Sequence, residues 1–325
     1  KDMSFDTKLI HAGEPDPRIE GAVSVPIFQS STFEYTGQTD YDSLRYIRLN
    51  NTPNHIVLHK KLAALEGAES ALVTSSGMSA ITTALLTYLK SGDHLLAHST
   101  LYGGTSDYVK HDLPQYGIEV DFFDAMVPDD WESKVKSNTK VVYVETITNP
   151  MIAVPELGAI IELAKKHELI SMIDNTFASP ALYCPVMQGF DISLHSATKY
   201  LNGHTDIVAG VVIGSEKNIS KVRSKLNHLG GSLDPNACFL LHRGIKTLSL
   251  RMDRQCQNAM AIAQFLEGHP KVKQVNYPGL ESNPSHNRAK EYLCGFGAMI
   301  SFELAGDVHA ADAFIGKLEY PVCTA

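Results

Sequence analysis

The chain of 325 residues is poor in the features that staple small folds or address other macromolecules. It has only five cysteines, Cys184, Cys238, Cys256, Cys294 and Cys323, an odd number without any Cys-x-x-Cys pair. That argues against a disulfide framework and fits a reducing, cytoplasmic setting. Basic residues are outnumbered, 28 Lys and Arg against 36 Asp and Glu, for a formal net charge of −8. With no basic stretch, nucleic acid and anionic membrane are poor partners. No apolar run is long enough to span a bilayer, and no charged-then-apolar leader pattern precedes the first motif. Internal repeats and low-complexity segments are also lacking.

What is present is an ordinary globular composition, 44% hydrophobic and 20% charged. At this length two domains are the natural expectation. Residues 1–48 read as an irregular arm, with the apolar piece Val23–Phe28 broken by Pro26. Between His55 and Glu66 the residues Val57, Leu58, Leu62 and Leu65 recur at helical spacing, and Gly67 suits the helix end. Strands are expected at 71–74, 94–97, 120–123, 141–145, 169–173, 192–194 and 207–213. Helices are expected at 80–89 and 155–167, and from Asn236 through Leu248. This alternation predicts an α/β layer with a largely parallel sheet over residues 49–249. From residue 250 onward a helix and strands near 272–275 and 298–302 predict a smaller α+β domain, which ends incomplete at 325.

Three predicted strand ends carry unusual residues, and functional groups in open α/β sheets gather at such ends. Ser75-Ser76-Gly77-Met78 opens a helix whose free N–H groups suit a phosphate, although such a start is usually only a cap. Asp174 follows the apolar run 169–173; a carboxylate there needs a hydrogen-bonding or cationic partner. A pyridinium N–H would serve, and so would a helix cap. Lys199 follows Ser196 and Thr198. It reads either as a surface lysine, the usual fate of lysine, or as a desolvated nucleophile. Taken together the three fit an aldehyde cofactor with a phosphate at one end and a ring nitrogen at the other. His94 and His98 lie four apart on one strand face, but no third ligand for a zinc ion is evident.

At these residues the chain resembles the Cys/Met-metabolism family of pyridoxal-phosphate (PLP) enzymes, the trans-sulfuration group. The resemblance runs from about Phe5 to the last residue. It rests on Ser75-Ser76-Gly77-Met78-Ser79-Ala80, Leu101-Tyr102-Gly103-Gly104-Thr105, Glu145-Thr146 with Asn149-Pro150, Ile173-Asp174-Asn175-Thr176-Phe177, and Ser196 through His204, all in family order. It implies the fold-type-I, aminotransferase-like architecture. It also implies that Lys199 forms a Schiff base with pyridoxal 5'-phosphate and then shuttles protons. Asp174 would pair with the pyridinium nitrogen. Gly77 and Met78 would give N–H groups to the phosphate, beside the Ser196 and Thr198 hydroxyls. Tyr102 would stack on the ring and assist the leaving group, and Asn149 would sit near the ring hydroxyl and substrate carboxylate. Thr176 and Glu145 would support them. Tyr46 and Arg48 resemble a pair that reaches the neighbouring subunit's phosphate and substrate site, which implies at least a homodimer and commonly a homotetramer.

The expected activity is a carbon–sulfur lyase performing γ-elimination, or also β-elimination, on cystathionine, homocysteine or methionine. A γ-replacement synthase shares every motif, and a non-catalytic PLP-binding protein is a third reading. Three departures from the family pattern occur, the first two bearing on substrate and the third on the local loop. Asp107 stands where cystathionine-handling relatives often have an arginine, Gly104 where methionine γ-lyases often have a cysteine, and 49–53 departs from the usual loop spacing. The resemblance places the arginine that clamps the substrate α-carboxylate beyond Ala325.

Overall fold

The computed structural model describes residues 3–320. Its centre is a seven-stranded sheet built from β1 (Ser70–Thr74), β2 (His94–His98), β3 (Glu119–Phe123), β4 (Thr139–Glu145), β5 (Ile170–Asp174), β6 (Ile192–Ser196) and β7 (Gly210–Gly214). A separate hairpin-like pair consists of β8 (Val272–Asn276) and β9 (Ser301–Leu304). The order in the large sheet is β1-β7-β6-β5-β4-β2-β3. Only β7 runs against its neighbours; β6, β5, β4, β2 and β3 pair in parallel.

Both faces of the central strands are covered, so these strands are buried and largely apolar, whereas the edge strand β3 (Glu119–Phe123) is partly exposed and alternates with polar residues. In β4, Val142 and Val144 join one core cluster while Val141 and Tyr143 join the other. The second cluster includes Ala80, Ile81, Ala84 and Leu85 of the helix Gly77–Tyr88. With a period of two, the strand-terminal residues Glu145, Asp174 and Ser196 fall on that same face. The strand order reverses between β2 and β4, which opens a crevice at their carboxyl ends.

The expected strands and helices are present, with several differences, among them that the strand expected over 298–302 runs Ser301–Leu304. The arm is not wholly irregular: Phe5–His11 is a helix, capped where the Ser4 hydroxyl accepts from Thr7 N–H. The strand expected over 207–213 begins at Gly210 and is the antiparallel one. The stretch from Asn236 through Leu248 is two helices, Pro235–Ile245 and Leu248–Glu267, broken at Lys246-Thr247. A further helix, Glu216–Leu229, lies between Ser215 as cap and Gly230 in the left-handed conformation. The Leu248–Glu267 helix buries Leu248 and Met252 in the main core, and Ala259 and Ala263 in a third, smaller cluster with Tyr277 and Leu280. Cys184, Cys238, Cys256 and Cys294 are free thiols; Cys323 lies outside the described residues.

Candidate active site

The crevice is built from five strand ends, those of β1, β2, β4, β5 and β6. After β1 the chain turns at Ser75-Ser76 into the Gly77–Tyr88 helix, where the Ser76 hydroxyl accepts from Ser79 N–H at 3.0 Å. The Gly77 and Met78 N–H groups find no acceptor among the described residues, as expected for the first turn of a helix. Gly77 lies directly against Ser196 at the end of β6. A Cβ added to Gly77 would stand 2.8 Å from the Ser196 Cβ, so the approach requires glycine. The Ser196 hydroxyl is itself unengaged among the described residues, whereas that of Thr198 is tied up. Thr198 Oγ1 donates to Ala209 O at 3.2 Å and accepts from Ala209 N–H at 3.0 Å. Two free N–H groups and one free hydroxyl thus face one hollow at the positive end of a helix, a cradle suited to phosphate.

Asp174, 9% exposed, ends β5. Its Oδ1 accepts from Thr176 N–H at 2.9 Å and from Thr176 Oγ1 at 2.5 Å. Its Oδ2 has no donor among the described residues, so one carboxylate oxygen is available for a ring N–H. Burial raises the Asp174 pKa, and the Thr176 bonds oppose the rise. Thr176 Oγ1 also accepts from Ser196 N–H at 2.8 Å, which links the carboxylate strand to the cradle strand.

Across the crevice, Tyr102 follows β2 and is 49% exposed. Its N–H donates to Glu145 Oε1 at 2.6 Å. Glu145 is buried, and its carboxyl is pushed up to about 8, first by burial and then by the neighbouring Asp174. The N–H groups of Tyr102 and Asn149 oppose that rise. Asn149 is half-buried in the loop after β4.

Lys199 lies in the turn after β6, and in the single chain it is exposed, not desolvated. Tyr46 and Arg48 are not brought to this cradle. Arg48 donates to Asn227 O at 2.7 Å and to Tyr41 OH at 2.6 Å of its own chain, and its guanidinium lies over the Tyr46 ring. The two histidines of the zinc reading are taken up separately. His94 Nδ1 meets Thr139 Oγ1 at 2.7 Å, and His98 Nδ1 accepts from Ala125 N–H at 3.0 Å. No cluster of three or more potential metal ligands occurs among the described residues.

Sequence reasoning missed the support beneath the crevice. On the opposite sheet face His195 Nε2 and Glu66 Oε1 are 2.6 Å apart and fully buried, with Ser193 Oγ donating to the same oxygen. Asn175, bonded to Thr146 and to Tyr183 O, joins this group to β4. The Glu66 contacts link residues more than a hundred positions apart, so no local pattern announces them.

A mostly parallel sheet with helices on both faces and a cradle at its carboxyl edge defines the fold class as the fold-type-I architecture of PLP-dependent transferases. Residues 6–325 match the Cys/Met metabolism PLP-dependent enzyme family, and the chain belongs to that family. It is 42% identical over 317 residues to a probable cystathionine gamma-synthase of Herpetosiphon aurantiacus, covering 97% of this chain and 99% of that protein. It is 41% identical over 325 residues to an L-methionine gamma-lyase of Porphyromonas gingivalis, covering 97% of this chain and 81% of that one. The crystal structure of a cystathionine gamma synthase from Xanthomonas oryzae pv. oryzae, in complex with aminoacrylate and cysteine, superposes with a TM-score of 0.95 at 36% identity. It covers 100% of this chain and 84% of that chain. The chain is therefore a PLP-dependent enzyme of the trans-sulfuration group. No helix among the described residues is long and apolar enough to cross a membrane.

Proposed function

We propose that the chain is a carbon–sulfur lyase that releases a thiol, ammonia and an α-keto acid from a sulfur amino acid by γ-elimination, holding PLP on Lys199. The observation that carries the reading is the cradle at the strand ends, one of which leads directly into the turn of that lysine. The free Gly77 and Met78 N–H groups, the free Ser196 hydroxyl and the open Asp174 Oδ2 stand at neighbouring strand ends, on the sheet face covered by one helix. When bound, PLP supplies an electron sink for the charge left when the substrate Cα–H proton is removed.

The chain's own residues have distinct tasks in this reading. The cradle anchors the phosphate. Asp174 holds the ring N–H and keeps it protonated, because a buried carboxylate is most stable beside a cation. The Lys199 amine takes the proton from Cα and then one from Cβ, the second loss expelling the γ-sulfur, and returns protons to the side-chain carbons. Tyr102, fixed at its backbone by Glu145, presents its ring to the cofactor and its hydroxyl to the departing sulfur. Asn149 orients the substrate. Asp107, exposed and 3.6 Å from His111, disfavours a distal substrate carboxylate and so favours methionine or homocysteine over cystathionine. Tyr46 and Arg48 complete the site of a second copy, so the working unit is at least a dimer. Free thiols at four described positions are consistent with a reducing, cytoplasmic location.

A γ-replacement synthase is the second reading, favoured by the 42% identity to the probable cystathionine gamma-synthase. The deciding assay supplies cystathionine, methionine, homocysteine, or acyl-homoserine with cysteine. Keto acid released without a thiol co-substrate supports the lyase; strict dependence on one overturns it. Lys199→Ala is expected to lose the visible absorbance of the bound cofactor, and its retention would overturn the lysine assignment.

A further inference from the structure

Lys199 sits within a tight turn spanning 197–202. The turn is closed by three main-chain bonds: Lys199 N–H to Ser196 O at 3.1 Å, Asn202 N–H to Ala197 O at 3.0 Å, and Gly203 N–H to Lys199 O at 2.7 Å. The carbonyls of Tyr200 and Leu201 receive no main-chain donor among the described residues outside helices and strands. A single distant side chain serves both. Arg251 Nη1 donates to Tyr200 O at 2.7 Å, and Nη2 reaches Leu201 O at 3.5 Å. The same Nη2 donates to Gly244 O at 2.9 Å, and Nε donates to Thr247 Oγ1 at 3.1 Å. Gly244 lies in the last turn of the Pro235–Ile245 helix, and Thr247 caps the Leu248–Glu267 helix. The guanidinium therefore ties three segments together: the end of one helix, the start of the next, and the lysine turn.

This arrangement runs against two local preferences. Arg251 lies in the first turn of its helix, where the macrodipole disfavours a cation. It also forms no ion pair with a carboxylate among the described residues, and burial lowers its pKa. Gly203 is held at φ +73°, and a Cβ there would collide with the guanidinium. Local conflicts of this kind persist where the placement serves something else. Uncharged carbonyl oxygens satisfy the fork from two sides, which a lysine ammonium could not do in the same geometry.

We propose that Arg251 is a positioning residue for Lys199. It sets the height and angle of the turn that carries the lysine, and it makes that turn move with the Leu248–Glu267 helix, whose Ala259 and Ala263 pack with Tyr277 and Leu280. The proposal rests on the reading of Lys199 as the cofactor lysine. The test uses the full chain loaded with PLP, as wild type, Arg251→Lys, Arg251→Ala and Lys199→Ala. Two readouts are taken: the pH midpoint of the cofactor's visible absorbance, and the kcat and KM of keto acid release. Both Arg251 variants are expected to keep the visible band. Their midpoint moves by about half a pH unit or more. Their kcat falls about tenfold or more, with KM within about threefold, as a misplaced catalytic group requires. Added guanidinium restores part of both in Arg251→Ala. If Arg251→Ala fails to fold by circular dichroism, Arg251→Lys, which keeps stem and charge, decides by the same readouts. A wild-type midpoint with kcat within about twofold in Arg251→Lys, while Lys199→Ala is bleached, overturns the role of Arg251. A band retained in Lys199→Ala overturns the lysine assignment itself, and Arg251 with it.

Discussion

Glu145 and Asp174 are register partners at the carboxyl ends of the adjacent parallel strands β4 and β5, with both carboxyl groups on the sheet face that carries the phosphate cradle. Two buried acids so placed cannot both ionise at little cost. The Glu145 carboxyl, pushed up to about 8, therefore holds its proton at neutral pH in the cofactor-free chain. Its folded-state pKa lies above its ordinary value of 4.5, so the folded form binds the extra proton between those values. The associated stability is fully present below about pH 4.5 and is lost as pH rises through 8, at about 1.4 kcal/mol per pH unit. Glu145→Gln keeps an acceptor for the Tyr102 N–H but cannot ionise. Thermal melts of the cofactor-free protein from pH 5 to 9 should show the variant gaining on wild type as pH rises. Parallel curves would mean that Glu145 does not hold that proton.

Thr176 links the two halves of the site through one hydroxyl, donating to Asp174 Oδ1 and accepting from Ser196 N–H. Thr176→Val keeps the shape and removes both bonds. It leaves Ser196 N–H without this acceptor and removes the largest influence holding the Asp174 pKa down. The Asp174 pKa rises further, and less of it is charged to meet a ring N–H. The expected result is a stability loss of about 1–3 kcal/mol in urea melts, together with weaker PLP binding by fluorescence titration. Unchanged PLP affinity would show that Asp174 keeps its charge without Thr176.

Much of this site is readable in the chain because its pieces are local. Ser75-Ser76-Gly77 is a cap followed by a close-approach glycine, and Asp174 and Ser196 end apolar runs at the positions where a parallel sheet delivers functional groups. The same locality made the central strands legible, Val141–Glu145 above all. The Glu216–Leu229 helix carried signals that were there to be used: Ser215 and Gly230 at its ends, and Ile219, Val222 and Leu226 at helical spacing. Its low hydrophobicity on the other face hides them. The opposite orientation of β7 has no local mark, since a strand buried on both faces reads the same in either direction. Arg251 and the Glu66–His195 pair were illegible for another reason. Each serves a partner far away in sequence, and before folding an arginine in a helix or a histidine in a strand carries no sign of what it will touch. The exposure of Lys199 is likewise a property of tertiary surroundings that its neighbours in sequence do not fix.

Gly77 tests the cradle without touching a charged group. A Cβ at this position would meet Ser196 Cβ at 2.8 Å and Ser196 Cα at 2.9 Å, both on a strand that cannot yield cheaply. Gly77→Ala should push the helix start away from β6 and spread the phosphate donors. Since binding depends on N–H groups at hydrogen-bond distance, PLP affinity should fall about tenfold or more. Alanine also suits a helix better than glycine, so far-UV circular dichroism should keep the wild-type helix signal. Wild-type PLP affinity would show that the phosphate is held elsewhere.

The amino-terminal arm is fastened by a lysine that has no access to water. Lys61, with 0% of its surface exposed, donates to Leu9 O at 3.1 Å and Ile10 O at 3.0 Å, the free carbonyls at the end of the Phe5–His11 helix. Its ammonium lies 3.5 Å from Glu14 Oε1, the oxygen that also meets His242 Nε2 at 2.8 Å. Burial lowers the Lys61 pKa to about 8, with Glu14 opposing the shift. Because the folded value lies below the ordinary 10.5, the charge weakens the fold below about pH 8, and that penalty is relieved as pH rises toward 10.5. Lys61→Met removes the penalty but leaves two helix-end carbonyls without their donor and leaves Glu14 with only His242 and Arg18 as partners. Leaving these two carbonyls unpaired outweighs the relief, so a net loss of about 1–3 kcal/mol is expected at neutral pH. The loss should be concentrated in the arm, and trypsin should cut after Arg18 about tenfold faster than in wild type while the large sheet stays intact. Between about pH 8 and 10.5 wild type should gain on the variant, because its lysine loses its charge and still donates. Equal cleavage rates, or a gap that narrows at high pH, would show that the arm is held by its apolar contacts and not by Lys61.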